Sequence, residues 1–118
     1  MRVLTATFAV TLIASPALAQ TPTITPPQAK DHVGEIVTVE GEVSEVHHAA
    51  SGKAIFLDMG GRYPNNPFAG VIFSRDAAQF PAVDSFTGKT VDITGRVKLY
   101  NGSPEIILNE PGQIKIKH

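Results

Sequence analysis

Apolar and polar residues alternate along the run from Gly88 to Leu108, and this alternation predicts two strands joined by a tight turn. The apolar positions of its first half are Val91, Ile93, Val97 and Leu99. A period of two is typical of a strand with one buried face. The dipeptide Asn101-Gly102 between apolar runs is a strong hairpin signal. A second strand is therefore expected over 105–108.

The first half of this run repeats a segment found earlier in the chain. GEIVTVEGEV at 34–43 and GKTVDITGRV at 88–97 align without a gap, 54 residues apart, and each places a glycine in mid-strand, at Gly41 and Gly95. Glycine allows a strand to coil strongly, so two long strands of one design predict a small closed barrel. Val46 is out of phase with Val43, which predicts a bulge or bend near Gly41.

The remaining segments complete an order of three strands, one short helix and two strands. Strands are predicted at 36–48, 54–59, 68–73, from Thr90 and at 105–108, with a helix capped by Ser74 and a short terminal strand through Ile114 and Ile116. This order is typical of the oligonucleotide/oligosaccharide-binding (OB) fold. We therefore predict an all-β chain of small helical content, a five-stranded Greek-key OB-fold barrel with a short helix between strands three and four.

The first nineteen residues have the features of a secretory signal peptide. Arg2 precedes a short apolar stretch, Pro16 interrupts it, and Ala17-Leu18-Ala19 fits a cleavage site. An uncleaved anchor is the alternative, but the stretch is too short to span a bilayer easily. The predicted organisation is a signal peptide at 1–19, a Thr/Pro-rich extended linker at 20–29 and an OB-fold domain at 30–118. A periplasmic or secreted location is expected.

Composition narrows the function classes. The 118-residue chain has no cysteine, which excludes disulfides and thiolate metal sites. Loss of the signal peptide would remove Arg2 and leave nine Lys/Arg against eleven Asp/Glu, a net charge of −2. This balance argues against a strongly basic nucleic-acid binder, although it allows a local basic patch.

Three segments resemble small exported bacterial OB-fold proteins of the nucleic-acid-binding, anticodon-binding-domain-like type. They are HVGEIVTVEGEV, AIFLDMGGRYPNNPFAGVIF and GKTVDITGRVKLYNGSPEIILNEPGQI, and the resemblance covers about 30–116. The best-matched motifs are Tyr63-Pro64-Asn65 and the Y-x-G-x-P-E-I run at 100–106. The resemblance implies an OB fold and an association with nucleic acid.

OB barrels usually bind ligands across strands two and three, between the loops that join strands one to two and four to five. Aromatic rings there stack on bases or sugars, and cations can follow phosphates. His47, His48, Lys53, Asp58 and Asn66 fall in this region. The predicted ligand-binding residues are Phe56, Arg62, Tyr63, Asn65, Phe68, Lys98 and Tyr100.

Each of these residues also has a purely structural interpretation. Phe56 has apolar neighbours and fits a core position, and Phe68 fits a plug at the barrel mouth. Tyr100 fits a cover over the hairpin. Arg62 and Lys98 fit ordinary surface charges. Both interpretations remain open at the level of sequence.

The sequence offers little for catalysis or metal binding. Adjacent His47 and His48 point to opposite faces of a regular strand, so they cannot both bind one ion. Motifs such as G-x-S-x-G and H-E-x-x-H are missing from the sequence, as are the clustered acids of OB-fold nucleases. We expect a protein that is not an enzyme and has no cofactor and no metal.

Two functions are therefore expected. The first is a binding module for single-stranded DNA or RNA, or a similar oligomer. The alternative is an adaptor domain for an envelope protein or polymer. A basic, aromatic patch on strands two and three would favour nucleic acid, whereas an apolar or acidic patch would favour a protein partner or a cationic ligand.

Overall fold

The computed structural model describes residues 21–118, and the predicted signal peptide lies outside these residues. Seven strands and four short 3-10 helices are present within this range. The strands are β1 (Thr23–Ile24), β2 (Ile36–His48), β3 (Ala54–Met59), β4 (Phe68–Phe73), β5 (Thr90–Tyr100), β6 (Ser103–Ile107) and β7 (Ile114–Ile116). The 3-10 helices are Pro26–Asp31, Ser74–Gln79, Val83–Phe86 and Pro111–Gln113. No helix of residues 21–118 is long and apolar enough to cross a membrane.

Five of the strands form a closed ring in the order β2-β3-β4-β6-β5, with β5 pairing back onto β2. All pairings in the ring are antiparallel except that of β4 with β6, which is parallel. Closure leaves β1 and β7 as short additions to the outside of β2 and β5. This arrangement confirms the predicted OB-fold barrel.

The two copies of the sequence repeat pair with each other. β2 and β5 run antiparallel from Ile36 opposite Arg96 to Glu42 opposite Thr90. Val39 and Ile93, which are equivalent positions of the repeat, face each other at the middle of this pairing. The repeat therefore forms the seam of the barrel, which we define as 36–42 of β2 paired with 90–96 of β5.

Glycine is required in the seam because another segment approaches the backbone. A Cβ on Gly95 would lie 2.6 Å from Ile106 Cγ2, and a Cβ on Gly41 would lie 2.8 Å from Pro26 Cγ. The predicted bend is present but displaced. The register of β2 against β3 shifts between Val43 and Glu45, not at Gly41, so the bulge lies where β2 leaves the seam.

The barrel interior is filled by aliphatic side chains from every ring strand. Val37, Val39, Leu57, Ile93 and Ile106 are fully buried. Phe68 is only 1% exposed and belongs to the same cluster. The alternating pattern of the two repeat segments thus places their valines and isoleucines inside, as the sequence indicates.

Two local predictions need correction. The segment 20–29 was predicted to be an extended linker, but within it β1 pairs with β2, and Ile24, Pro26 and Ala29 are buried against the barrel. The sequence also predicts a short helix here, with Thr25 as its cap and Pro26 and Pro27 in its first turn, and this helix is present as a 3-10 helix that covers the core. The helix after β4 is a 3-10 helix whose N-cap is Phe73, so Ser74 is its first residue and not its cap.

Candidate ligand-binding groove

A groove of about 650 Å³ lies on the outside of the barrel. Its floor is formed by β3, β4 and β6, and its ends are formed by the β2–β3 loop and the β5–β6 hairpin. The hairpin turns sharply at Asn101 and Gly102, both of which have positive φ values of 49° and 78°. The groove is lined by His47, His48, Ala49, Ala50, Phe56, Asp58, Tyr63, Pro64, Asn66, Ala69, Tyr100, Asn101, Ser103 and Glu105. This is the face that an OB fold ordinarily offers to ligands.

Besides His48, four residues with planar rings line the groove. His47 stacks on Phe56 with ring centres 4.8 Å apart and planes at 14°, because the two residues are direct partners across β2 and β3. Tyr63 lies 5.3 Å from His47 at a tilt of 44°. Tyr63 and Tyr100 are 67% and 62% exposed, so both have ring surface available to a ligand. The groove therefore combines a fixed ring pair with two open rings.

Three side chains, those of Asp58, His47 and Asn66, form a hydrogen-bonded network on one side of the groove. The Asp58 carboxylate, 1% exposed, lies 2.5 Å from His47 Nδ1 and accepts a bond from Asn66 Nδ2 at 3.2 Å. Asn66 also donates to the Phe68 carbonyl at 3.1 Å, which fixes the loop before β4. Burial raises the pKa of Asp58, and the hydrogen bond and charge of His47 oppose this rise. Asp58 thereby orients the His47 ring.

Glu105 is a second buried carboxyl group in the groove. Glu105 is 8% exposed and lies on β6 between the buried residues Pro104 and Ile106. Burial raises the pKa of Glu105, and no hydrogen bond or charge of another described residue contributes to this shift. Lys98 faces Glu105 across β5 and β6. A carboxyl group without such partners is costly to bury in its charged form.

The structure gathers only part of the predicted ligand-binding set. Phe56, Tyr63 and Tyr100 line the groove. Arg62, Asn65 and Lys98 are exposed but do not line it. The assignment of Phe68 is corrected, because its ring is buried in the core on the opposite side of β4 and cannot meet a ligand in the groove.

Several lining residues were missed by sequence reasoning. Asp58, His47 and Asn66 were placed in the right region but were not selected, and Ala69 and Glu105 were not considered. Strand parity offers a signal for Glu105, since an acidic residue between two buried positions must lie on the outer face of β6. The alternation along β6 does not predict which strand lies beside it. In the structure that strand is β4, which pairs with β6 in parallel.

Residues 21–118 contain one group of three side chains that could hold a metal ion. The ligand atoms of Glu45, His47 and Asp58 lie within 4.8 Å of one another. His47 and Asp58 already satisfy each other at 2.5 Å, closer than two ligands sharing a tetrahedral ion would normally approach. An ion would therefore have to break this bond, and the group fits a hydrogen-bonded pair better than a metal centre.

No protein-family model matches this chain, and no curated protein matches it in sequence. Solved structures do share its fold. OBody AM1L10, in a structure bound to hen egg-white lysozyme, has 19% identity and a TM-score of 0.59 over 83% of this chain and 95% of its own. Asparaginyl-tRNA synthetase from Pyrococcus horikoshii has 18% identity and a TM-score of 0.56 over 79% of this chain. The corresponding enzyme from Entamoeba histolytica has 20% identity and a TM-score of 0.55 over 83%.

This chain corresponds to less than a quarter of each synthetase, 22% and 23% of their lengths. The OBody, in contrast, is matched over nearly its whole length. At such low identities the likeness establishes the OB fold and leaves the ligand to be argued from the groove.

Proposed function

We propose that this protein is an exported, non-enzymatic binding module that takes up a segment of an oligomer along the ring-lined groove. Single-stranded nucleic acid is the first candidate ligand. The observation that carries the proposal is the set of four rings, His47, Phe56, Tyr63 and Tyr100, on the ligand face of an OB barrel. Stacking on such rings tolerates any base sequence.

The charges of the groove determine what kind of nucleic-acid binding is expected. Neither Lys nor Arg lines the groove, and Arg62 and Lys98 lie outside it. Few phosphates would then be neutralised, so the affinity should come mainly from base stacking. We expect a shallow salt dependence, with log K against log salt having a slope of about −1 to −2.

A role without catalysis is supported by the neighbours of His47, the histidine that the buried Asp58 holds. Asp58 holds His47 in the orientation that a general base would need. However, the only hydrogen-bond partner of the His47 ring among residues 21–118 is Asp58, so no hydroxyl nucleophile is in reach of it. Binding is therefore the function that this arrangement supports best.

The adaptor function remains a second candidate because two buried carboxyl groups, Asp58 and Glu105, lie in the groove. Their presence disfavours a polyanion at the floor and favours a ligand with donor groups. The similar OBody is bound to a protein, lysozyme, which fits an OB barrel with a protein partner.

The proposal is tested by titrating the protein into fluorescently labelled single-stranded DNA and RNA and following anisotropy at two salt concentrations. We expect saturable binding that Tyr63→Ala weakens about tenfold or more, because one stacked base is worth roughly 1–3 kcal/mol. Leu99→Ala is the control, since Leu99 is also a large exposed apolar side chain, 54% exposed, but does not line the groove. Absence of binding at low salt would reject the nucleic-acid ligand.

A further inference from the structure

The outer face of the barrel carries a row of acidic residues across four neighbouring strands. Glu45 of β2 faces Asp58 of β3, Asp58 faces Ala69 of β4, and Ala69 faces Glu105 of β6. Directly paired residues of adjacent strands project to the same side of a sheet. Two carboxyl groups, those of Asp58 and Glu105, therefore flank Ala69, and Glu45 lies one strand beyond Asp58. The small alanine side chain leaves a notch between Asp58 and Glu105.

The two carboxyl groups beside the notch are not equivalent. Asp58 accepts hydrogen bonds from His47 and Asn66, so its charge and its lone pairs are met within the protein. Glu105 is 8% exposed and lines the groove. Lys98 lies directly opposite it on β5 but is exposed, and within residues 21–118 the Glu105 side chain forms neither a hydrogen bond nor an ion pair. A carboxylate that opens into a groove and has no partner within the protein can accept hydrogen bonds from a ligand.

The surroundings of Glu105 favour a positively charged donor. The groove places His47, Phe56, Tyr63 and Tyr100 around the notch, and its lining includes neither Lys nor Arg. Aromatic faces attract cations through their quadrupole, and this attraction grows when the cation is desolvated. A phosphate or carboxylate would meet two carboxyl groups here, whereas an ammonium or guanidinium group would meet an unpaired acceptor and rings.

We propose that this groove binds an organic nitrogen cation, a primary ammonium or a guanidinium group, whose N–H groups donate to the Glu105 carboxylate above Ala69. The inference rests on the proposed function, because it takes the groove to be the ligand site. The cation is either a free polyamine or the side chain of a lysine or arginine in a bound polypeptide. Asp58 stays paired with His47 and supports the local negative potential.

The test is a titration of ¹⁵N-labelled protein with spermidine, followed by NMR at low ionic strength. We expect the amide signals of the non-proline residues of 66–69 and 103–106 to shift in a saturable manner, and Glu105→Gln to weaken the affinity about tenfold or more. Glu42→Gln removes the same charge from an exposed residue of β2 that does not line the groove. It should leave the affinity within about twofold.

The source of the cation is distinguished by repeating the titration with the capped peptide acetyl-Ala-Lys-Ala-amide and its norleucine analogue. Tighter binding of the lysine peptide than of spermidine indicates a polypeptide ligand, and the reverse order indicates a polyamine. Equal weakening by Glu105→Gln and Glu42→Gln, or shifts spread over all acidic surfaces, would overturn the inference.

Failure of this inference can be separated from failure of the proposed function. If Tyr63→Ala weakens single-stranded DNA binding but Glu105→Gln leaves spermidine binding unchanged, the groove is a nucleic-acid site and the cation site is rejected. If spermidine binding depends on Glu105 while no nucleic acid binds, the cation site stands and the nucleic-acid ligand is rejected.

Discussion

The seam and the groove lie on different sides of one barrel, and they differ in whether their polar side chains have hydrogen-bond partners within the protein. On the outer side of the seam, the Thr38 and Thr94 hydroxyls bond each other at 2.8 Å, and Gln113 donates to the Thr94 and Ile107 carbonyls. In the groove, Glu105 is buried without such a partner. The seam is arranged to hold the barrel closed, whereas the groove keeps an acceptor and two open rings free.

The difference shows where stability and function are separated in this molecule. Internal pairing lowers the cost of burying the Thr38 and Thr94 hydroxyls in the seam, because each is the hydrogen-bond partner of the other. The groove contains the Glu105 carboxyl group, whose burial costs free energy. This cost is offset only when a ligand supplies a hydrogen-bond donor. Variants in the seam should therefore lower stability, and some variants in the groove should raise it.

The largest effect is expected from Gly95→Ala in the seam. The new Cβ would lie 2.6 Å from Cγ2 of the fully buried Ile106, which cannot swing away. We expect a loss of about 3 kcal/mol in the free energy of unfolding, measured by urea denaturation.

The same substitution at two other glycines calibrates this result. Gly112→Ala should change little, because nothing lies within 4 Å of its added Cβ. Gly41→Ala should fall between the two, since its Cβ would lie 2.8 Å from Pro26 Cγ, a less severe overlap than the 2.6 Å at Gly95. If all three variants were equally stable, the close approach in the seam would be disproved.

A smaller loss is expected from Asn66→Ala at the edge of the groove. The substitution removes the donor to Asp58 and the donor to the Phe68 carbonyl, and leaves a buried carboxylate with His47 alone. The expected cost is about 2 kcal/mol, measured by thermal unfolding. The adjacent and exposed Asn65 gives a matched control, and Asn65→Ala should change the melting temperature by less than a third as much.

Glu105→Gln should have the smallest effect and the opposite sign. Burial raises the folded-state pKa of Glu105 above its usual 4.5, so the folded protein binds a proton that the unfolded chain releases. The free energy of unfolding should therefore fall as the pH rises from about 4.5 through this raised pKa. The variant should be about 1 kcal/mol more stable at neutral pH.

The pH profile separates Glu105 from the other buried acid. The pKa of Asp58 is also raised, so the variant should retain the part of the slope that Asp58 contributes. Glu42→Gln, at an exposed position, should follow the wild-type profile. A Glu105→Gln profile parallel to that of the wild type would show that Glu105 is not destabilised by burial.

The fold could be predicted from the sequence because the two strands of the seam have a clear local alternation of apolar and polar residues. The alternation of Val37 and Val39, its repetition at Val91 and Ile93, and the Asn101-Gly102 turn are each readable within ten residues. In the 20–29 segment the helix after Thr25 could be predicted from its cap and its prolines, but its packing could not, because the segment has no apolar period. Only the neighbouring barrel shows that Ile24 and Pro26 find a surface to cover.

The groove was recovered less completely, because its members meet through pairings that no local pattern encodes. Tyr63, Phe56 and Tyr100 could be selected as rings near an OB ligand face. Glu105 is brought beside Ala69 by the parallel pairing of β6 with β4. Phe68 was misassigned because it is consecutive with Ala69, and one step along a strand reverses the face.

The same parallel pairing has a consequence for how the chain folds. The hairpins β2–β3 and β3–β4 can form from contiguous sequence, but they leave an open sheet with two unpaired edges. Those edges are covered only when β5 and β6 arrive, joining Val37 to Gly95 and Ala69 to Glu105. The rate of folding should thus be governed by the entropy of closing long loops, on the millisecond-to-second scale of barrels with high contact order.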